Sequence, residues 1–516
     1  MRPLELSLLL VLLLTLGVLA VPQLHAVRWI GYVAFLAVLI AIAQMIVEGP
    51  RWQMVPAYVL TGLFFLVWLL QSTTLAGRPV NRVAAGLAIG LGALALVISA
   101  ALPIVSPVFR FPRPSGPYAI GTLTYHWVDA ARPEVFTADP NDHRELMIQV
   151  RYPAQANPSA PRAPYVEDAG ALAPGLAQLA QQNAERLFPG FPFTVPSFPF
   201  THLKNITTNA IPFTPVAHDE SSYPVLIFME GLNGLRQMNT FQVEELVSHG
   251  YIVAAIDQPY AAAEVVFPDG RQVGGLSKDQ LNLLLQQSIS PVTNAPTLNG
   301  QILKDGIIPY LAQDAVFTLD QLDSLNQADP NGILTGHLDM QRAGIFGVSL
   351  GGMVSPEACH LEPRLRACLV MEAPMPADVV KSGLHQPSMW ILSDADTWRL
   401  QRWSDRDVMQ HQTTMRAVFE TLPGDGYFVQ VPRMFHLNLT DVPLLIYAPF
   451  GRRLGLFGPI DAHRVHRIVN AYTLAFFDRH LKGMPATLLD GPAAQYPEVR
   501  IDSRHLNPLP HTHGPG

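Results

Sequence analysis

A bundle of about four apolar helices followed by an α/β domain on a mostly parallel sheet is the architecture this sequence predicts, and three observations predict it. Apolar segments of membrane-crossing length crowd the positions before about residue 110, with charges confined to the links between them. From Tyr223 onward, short buried-type strands alternate with helical patterns through short links, which implies a parallel sheet. The pentapeptide Gly347-Val348-Ser349-Leu350-Gly351 lies where one such strand passes into a helix.

Composition sets the limits. Of 516 residues, 49% are hydrophobic and only 15% charged, against roughly a quarter charged in ordinary soluble domains. The net charge of -7 comes with no basic run, which excludes nucleic acid as a partner. Cys359 and Cys368, the two cysteines, have neither metal-ligand nor disulfide-framework spacing. They read as buried, inert thiols.

The apolar segments run from Leu4 to about Val21, Trp29 to Val47, Met54 to Leu75 and Val83 to about Val105. Each is about twenty residues without internal charge, Glu5 at the mouth of the first excepted, so four spans are expected. The first lacks a small-x-small cleavage site and is followed directly by others, so it reads as a span and not a signal peptide. A multi-pass membrane protein with the bilayer as partner follows. Arg2, Arg51, Arg110 and Arg113 on one side nearly balance Arg28, Arg78 and Arg82 on the other, which leaves the side of the large domain open. With no Asp, Glu, Lys or Arg inside a span, an anchor is favoured over a transport bundle.

The expected division is a transmembrane region at 1–108, a Pro-rich linker at 109–117, a catalytic domain at 118–500 and a disordered tail at 501–516. Pro103, Pro107, Pro112, Pro114 and Pro117 end the fourth span and stiffen the link. Gly121 to Val128 and Leu146 to Tyr152 alternate as a first hairpin. An Ala/Leu/Gln helix follows, then the run Phe188-Pro189-Gly190-Phe191-Pro192-Phe193, read as a cap because so many rings call for an apolar surface to cover. Pro224 to Met229 is a strand buried on both faces; a helix from Thr240 to His249 and a strand from Tyr251 to Ile256 complete a βαβ unit. Residues 261–300 lack a period and read as an insertion. Beyond the pentapeptide, strands at Arg366 to Met371, Ser388 to Leu392 and Phe428 to Val431, the last of the sheet, precede a helix from His463 to Lys482.

Gly-x-Ser-x-Gly between strand and helix is a nucleophile elbow, in which small neighbours permit a strained serine to stand at the carboxyl edge of the sheet. A serine hydroxyl needs a histidine to take its proton and a carboxylate to hold that histidine. In α/β-hydrolases the order is serine, acid, histidine. Ser349 and His436, just past the last strand, fit that order, and the acid is Glu372 or Asp396, or less well Asp394, each following a strand.

These residues resemble the platelet-activating-factor acetylhydrolase group of α/β-hydrolase serine esterases, also described as lipoprotein-associated phospholipases. The likeness runs over roughly 118–500, on Tyr223 to Phe228 with Glu230-Gly231-Leu232, Ser248 to Ala255, Gly347 to Gly352, Met371-Glu372 and His436-Leu437-Asn438-Leu439-Thr440-Asp441. It implies Ser349 as nucleophile, His436 as base, Glu372 as acid, and an oxyanion hole made by the N–H groups of Leu232 and Leu350. The chain departs from the group in having Glu372 where Asp is usual and Glu230 where His is usual. Hydrolysis of ester or phospholipid-like substrates through an acyl-enzyme is implied, with no metal or organic cofactor. A serine peptidase or general carboxylesterase on the same fold, and an inactive membrane scaffold, are the other readings.

Overall fold

The computed structural model describes residues 1–21, 32–73, 82–190 and 192–504. Two compact units result, and the division is not the linear one expected: the first joins Met1–Phe109 with the short returns Thr201–Ile206 and Leu444–Phe450, and the second comprises the rest.

In the first unit, α1 (Pro3–Ala20), α2 (Val33–Val47), α3 (Val55–Thr73) and α4 (Arg82–Val105) are helical. Among the described residues, three segments, Pro3–Ala20, Trp52–Leu70 and Val83–Val105, are long and apolar enough to cross a membrane. The expected count of four is corrected: α2 has 15 residues, and at 1.5 Å per residue it spans about 22 Å of a hydrocarbon core about 30 Å thick. The start of its expected segment, 29–31, lies outside the described residues. Pro103 does not end the fourth helix as expected but sits inside its final turn. Glu5 is buried, and its carboxylate accepts from Arg51 Nε at 2.7 Å and Arg51 Nη2 at 2.6 Å, with Arg2 at 2.7 Å beside it. A buried charge in apolar surroundings requires such a partner.

The second unit is organised on a ten-stranded sheet. Its strands in chain order are β1 (Ala119–Pro133), β2 (His143–Ala154), β3 (Ala210–Pro212), β4 (Tyr223–Met229), β5 (Ile252–Asp257), β6 (Leu338–Val348), β7 (Leu365–Met371), β8 (Ser388–Leu392), β9 (Gly426–Gln430) and β10 (Arg500–Arg504). The spatial order is β10-β9-β8-β7-β6-β4-β5-β2-β1-β3. From β5 to β9 every neighbouring pair is parallel, whereas β2 meets β5, and β10 meets β9, antiparallel.

Helices α5 (Ala169–Leu187), α6 (Thr240–Ser248), α7 (Ile308–Gln327), α8 (Leu350–Leu361), α9 (Ala395–Leu400), α10 (Asp405–Thr421) and α11 (Ala462–Lys482) are the main ones of this unit. Strand side chains alternate between faces, and both faces of the central strands are covered. Val225, Ile227, Met229, Ala343 and Ile345 join one core with Leu319 of α7 and Val354 of α8. On the other face Phe228 and Phe346 pack at 5.0 Å between ring centroids, and Phe477 of α11 lies 6.0 Å from Phe346. Cys359 on α8 and Cys368 on β7 are buried in the first of these cores.

Two further expectations need correction. Phe428 to Val431 is not the last strand of the sheet, because β10 follows it at an edge; residues 501–504 therefore belong to the domain and not the tail, of which 505–516 lie outside the described residues. Residues 261–302, the expected insertion among them, carry two short hairpins and the helix Lys278–Ile289. In the expected cap, Phe188 is about half exposed, and Phe191 lies outside the described residues.

Arg144 on β2 is fully enclosed. It donates to Asp314 of α7 at 2.7 Å and to Glu134 at 2.9 Å, and Arg132 adds a second cation to Asp314 at 2.7 Å. Because removing one partner leaves the others as uncompensated buried charges, Arg144→Ala is expected to destabilise the chain by about 3–5 kcal/mol, read as a lowered urea midpoint in detergent solution.

Candidate active site

The elbow is built by close approach of backbone. Ser349, between β6 and α8, has φ 59° and ψ -116°, a sparsely populated region costing about 1–3 kcal/mol. A Cβ at Gly347 would lie 2.2 Å from the Gly351 carbonyl oxygen, and one at Gly351 would lie 2.0 Å from the Met229 carbonyl oxygen. Only glycine fits at both. The Ser349 N–H donates to the Met371 carbonyl at 2.9 Å, which fixes the turn against the end of β7.

Since β4, β6, β7, β8 and β9 are parallel, the residues that follow them share one edge of the sheet. Glu372 follows β7 with φ 49°, and His436 opens a short 3-10 turn after β9. His436 Nδ1 lies 2.7 Å from Glu372 Oε2. The other oxygen, Oε1, accepts from Trp398 Nε1 at 2.8 Å and from the Ser393 N–H at 3.1 Å. Both carboxylate oxygens are thus engaged, and the side chain is wholly buried. The His436 N–H donates to Gln401 Oε1 at 2.9 Å.

An aromatic wall stands behind the pair. Trp398 and Trp403 stack at 5.5 Å and 7°, and Trp403 meets the His436 ring edge-on at 6.0 Å. His411 packs on Trp403 at 4.8 Å; burial lowers its pKa to about 4, so it stays neutral and adds no charge at physiological pH.

The structure does not bring the alternative acids to the histidine. The side chain of Asp396 is 94% exposed and pairs with Arg399 at 3.3 Å. Asp394 caps α9, accepting from the Thr397 N–H at 2.9 Å.

Leu232 sits in a turn closed by the Gly234 N–H donating to the Gly231 carbonyl at 2.8 Å, with Asn233 at φ 56°. Positive φ at the third position is the signature of a type II turn. Gly231 faces the serine: a Cβ there would lie 3.3 Å from Ser349 Cβ and 3.9 Å from Oγ. Leu350 is the first residue of α8, so its N–H has no intrahelical acceptor.

The His-x-Asn-x-x-Asp segment ties these parts together. Asn438 Oδ1 accepts from the N–H groups of Phe435 and Gly458, each at 2.9 Å. Asp441 accepts from Thr240 N–H at 2.8 Å and Phe241 N–H at 3.0 Å, at the start of α6, while its own N–H donates to the Met238 carbonyl at 2.7 Å. The loop bearing His436 is therefore pinned to the chain that leaves the Leu232 turn. Trp398 and Ser393 were not legible as site residues, because they act through their position after β8 and belong to no motif. Among the described residues no group of three or more His, Cys, Asp or Glu side chains is gathered as for a metal.

Comparison with known proteins gives three likenesses. The sequence model of the family described as platelet-activating factor acetylhydrolase, isoform II, matches residues 104–286, which include the Leu232 turn and stop before Ser349. A platelet-activating factor acetylhydrolase of Gallus gallus is 22% identical over 281 residues, covering 50% of this chain and 62% of the relative. A probable 1-alkyl-2-acetylglycerophosphocholine esterase of Arthroderma benhamiae is 23% identical over 419 residues, covering 78% and 97%. The chain thus spans less than two thirds of the chicken relative and nearly all of the fungal one. The solved ferulic acid esterase from Streptomyces cinnamoneus superposes with a TM-score of 0.57 at 24% identity, over 77% of this chain and 99% of the other, and shares the fold. By these likenesses the chain is similar to platelet-activating factor acetylhydrolases, and its mostly parallel sheet fits the α/β-hydrolase fold.

Proposed function

We propose that the chain is a membrane-anchored serine esterase that hydrolyses carboxylic esters of lipid-like substrates, of acetylhydrolase or phospholipase A2 type, through an acyl-enzyme. The observation that carries this reading is the 2.7 Å contact of His436 with a Glu372 carboxylate whose other oxygen is already engaged, on the edge that also bears the strained Ser349. The names of the chicken and fungal relatives support a glycerophospholipid-type ester. The three apolar segments of spanning length support a bilayer location, where such esters are concentrated.

In this mechanism Ser349 Oγ attacks the ester carbonyl carbon as His436 Nε2 takes its proton. Glu372 holds the Nδ1 proton and balances the imidazolium charge. The carbonyl oxygen becomes an oxyanion facing the N–H groups of Leu232 and Leu350. Collapse breaks the ester C–O bond, and the leaving alkoxide receives the proton from His436. Water, deprotonated by the same histidine, then attacks the acyl-serine and releases the acid. Trp398 keeps Glu372 turned toward His436 throughout.

Fluorophosphonate labelling of membranes containing the chain, with ester turnover beside it, tests the reading. Ser349→Ala and His436→Ala are expected to abolish turnover, on the order of 10⁶-fold, and Ser349→Ala to abolish labelling. A wild-type chain that folds but does not label would instead make it a scaffold. Preference for peptides, or for short water-soluble esters over acyl chains, would make it a peptidase or a general carboxylesterase.

Two more substitutions separate the acids. Glu372→Gln is expected to lower kcat by on the order of 10⁴-fold, as the loss of a triad carboxylate does, while Asp396→Asn leaves it within about two-fold, as for an exposed group. Trp398→Phe, which removes one hydrogen bond to a buried carboxylate worth about 1.5–3 kcal/mol, is expected to lower kcat at least ten-fold and to lower the thermal midpoint as well.

A further inference from the structure

Glu230 is the residue before the Gly231–Gly234 turn, and the mechanism above gives it no part. Its side chain is buried. Oε1 accepts from the Gln258 N–H at 3.2 Å, and no donor meets Oε2 among the described residues. Written as a carboxylate, Glu230 would leave a buried anionic oxygen without a donor, which burial strongly disfavours. Written as the acid, Oε2 carries a proton that the neighbouring Asp257 carboxylate could accept.

The neighbouring contacts say which of the two carboxyls holds the proton. Asp257, at the end of β5, accepts from the Arg236 N–H at 2.5 Å through Oδ1 and from the Arg236 guanidinium through Oδ2. Two donors from a cationic residue mark Asp257 as the carboxylate. Glu230 is then the acid. Burial, followed by the negative charge of Asp257, pushes its carboxyl well above the usual range.

The contacts also have a direction along the chain. Glu230 precedes the turn that presents Leu232, Arg236 follows it, and both are held to Asp257 and Gln258 at the end of one strand. On the far side the turn rests on the elbow, where a Cβ at Gly351 would meet the carbonyl oxygens of Met229 and Glu230. The charged groups around Glu230 are Asp257 from β5 and Arg236 from the loop. Beyond them, Gln258 Nε2 donates to Asp314 of α7 at 2.7 Å, and Asp314 is matched by Arg144 and Arg132.

We propose that Glu230 is a positioning residue: as a neutral acid donating to Asp257, it completes a Glu230–Asp257–Arg236 clasp that holds the Leu232 N–H where the oxyanion forms. The proposal rests on the esterase reading above. Ionisation of Glu230 would set two buried carboxylates side by side with one arginine between them, and the repulsion would open the clasp. Activity is then lost as pH rises through the Glu230 pKa, and it is present below.

The test is the pH profile of kcat/KM for a p-nitrophenyl ester, corrected for spontaneous hydrolysis, measured on the full chain in detergent micelles. Wild type is expected to decline on the alkaline side by on the order of 10²-fold, the worth of one oxyanion donor. Glu230→Gln, neutral at every pH, is expected to lose that decline. Asp257→Asn removes the negative charge beside Glu230 and is expected to bring the decline to lower pH. A merely structural role would move neither limb in this way. A Glu230→Gln chain that keeps the wild-type alkaline decline, or that folds but is inactive throughout, overturns the proposal, as does an Asp257→Asn decline that stays in place or moves to higher pH. A wild-type chain that turns over no ester at any pH overturns the esterase reading itself, which none of the other outcomes does.

Discussion

The contact on which the catalytic unit depends is that of Gly351 with the Met229 carbonyl oxygen, at a separation no side chain could share. It brings the start of α8 against the end of β4. The same approach sets Gly231 beside Ser349, the Leu350 N–H at the free end of a helix, and the Leu232 turn across from it. A nucleophile and two candidate oxyanion donors come from segments more than a hundred positions apart, and two glycine-sized gaps place them together. The strain at Ser349 is tolerated because β6, β7 and α8 all hold the backbone around it.

The glutamate where an aspartate is usual is accommodated by local means. One additional methylene lengthens the reach from the end of β7, and a longer side chain has more rotamers to lose. Trp398 and Ser393 take one oxygen and His436 the other, so the added freedom is removed by hydrogen bonds. Trp398 in turn is fixed by stacking on Trp403, whose edge meets the histidine ring. The acid, the base and the wall behind them form one packed group.

Much of this was legible in the sequence because it rests on short-range patterns. Pro224 to Met229 and Ser388 to Leu392 are apolar runs of strand length, and the glycines at 347 and 351 mark a turn that only they permit. The geometry pairs His436 with Glu372 and leaves Asp396 in solvent, a choice that spacing alone could not make, since both acids follow strands on the same edge. What was illegible was set by tertiary contacts. Arg500–Arg504 has no apolar run, and its strand forms because β9 offers it an edge. The second segment reads as a span over 29–47, of which 29–31 lie outside the described residues. Glu230 stood out only as a departure from the group, because the sequence could not place Asp257 and Arg236 near it.

The ends of the sheet have a consequence for the molecule's behaviour among its own kind. An open ten-stranded sheet leaves two rows of backbone donors and acceptors available to any extended chain that approaches, which is how such proteins stick to one another. Here β3 is three residues long and ends in Pro212, and β10 alternates exposed Arg500, Asp502 and Arg504 with half-buried Ile501 and Ser503. β3 itself is too short, and interrupted by a residue without an N–H, to template a neighbour. β10 meets a second copy with like charges. The last strand of the domain thus acts as a guard on solubility for the apolar strand β9, a task separate from chemistry and one that the catalytic residues themselves do not need.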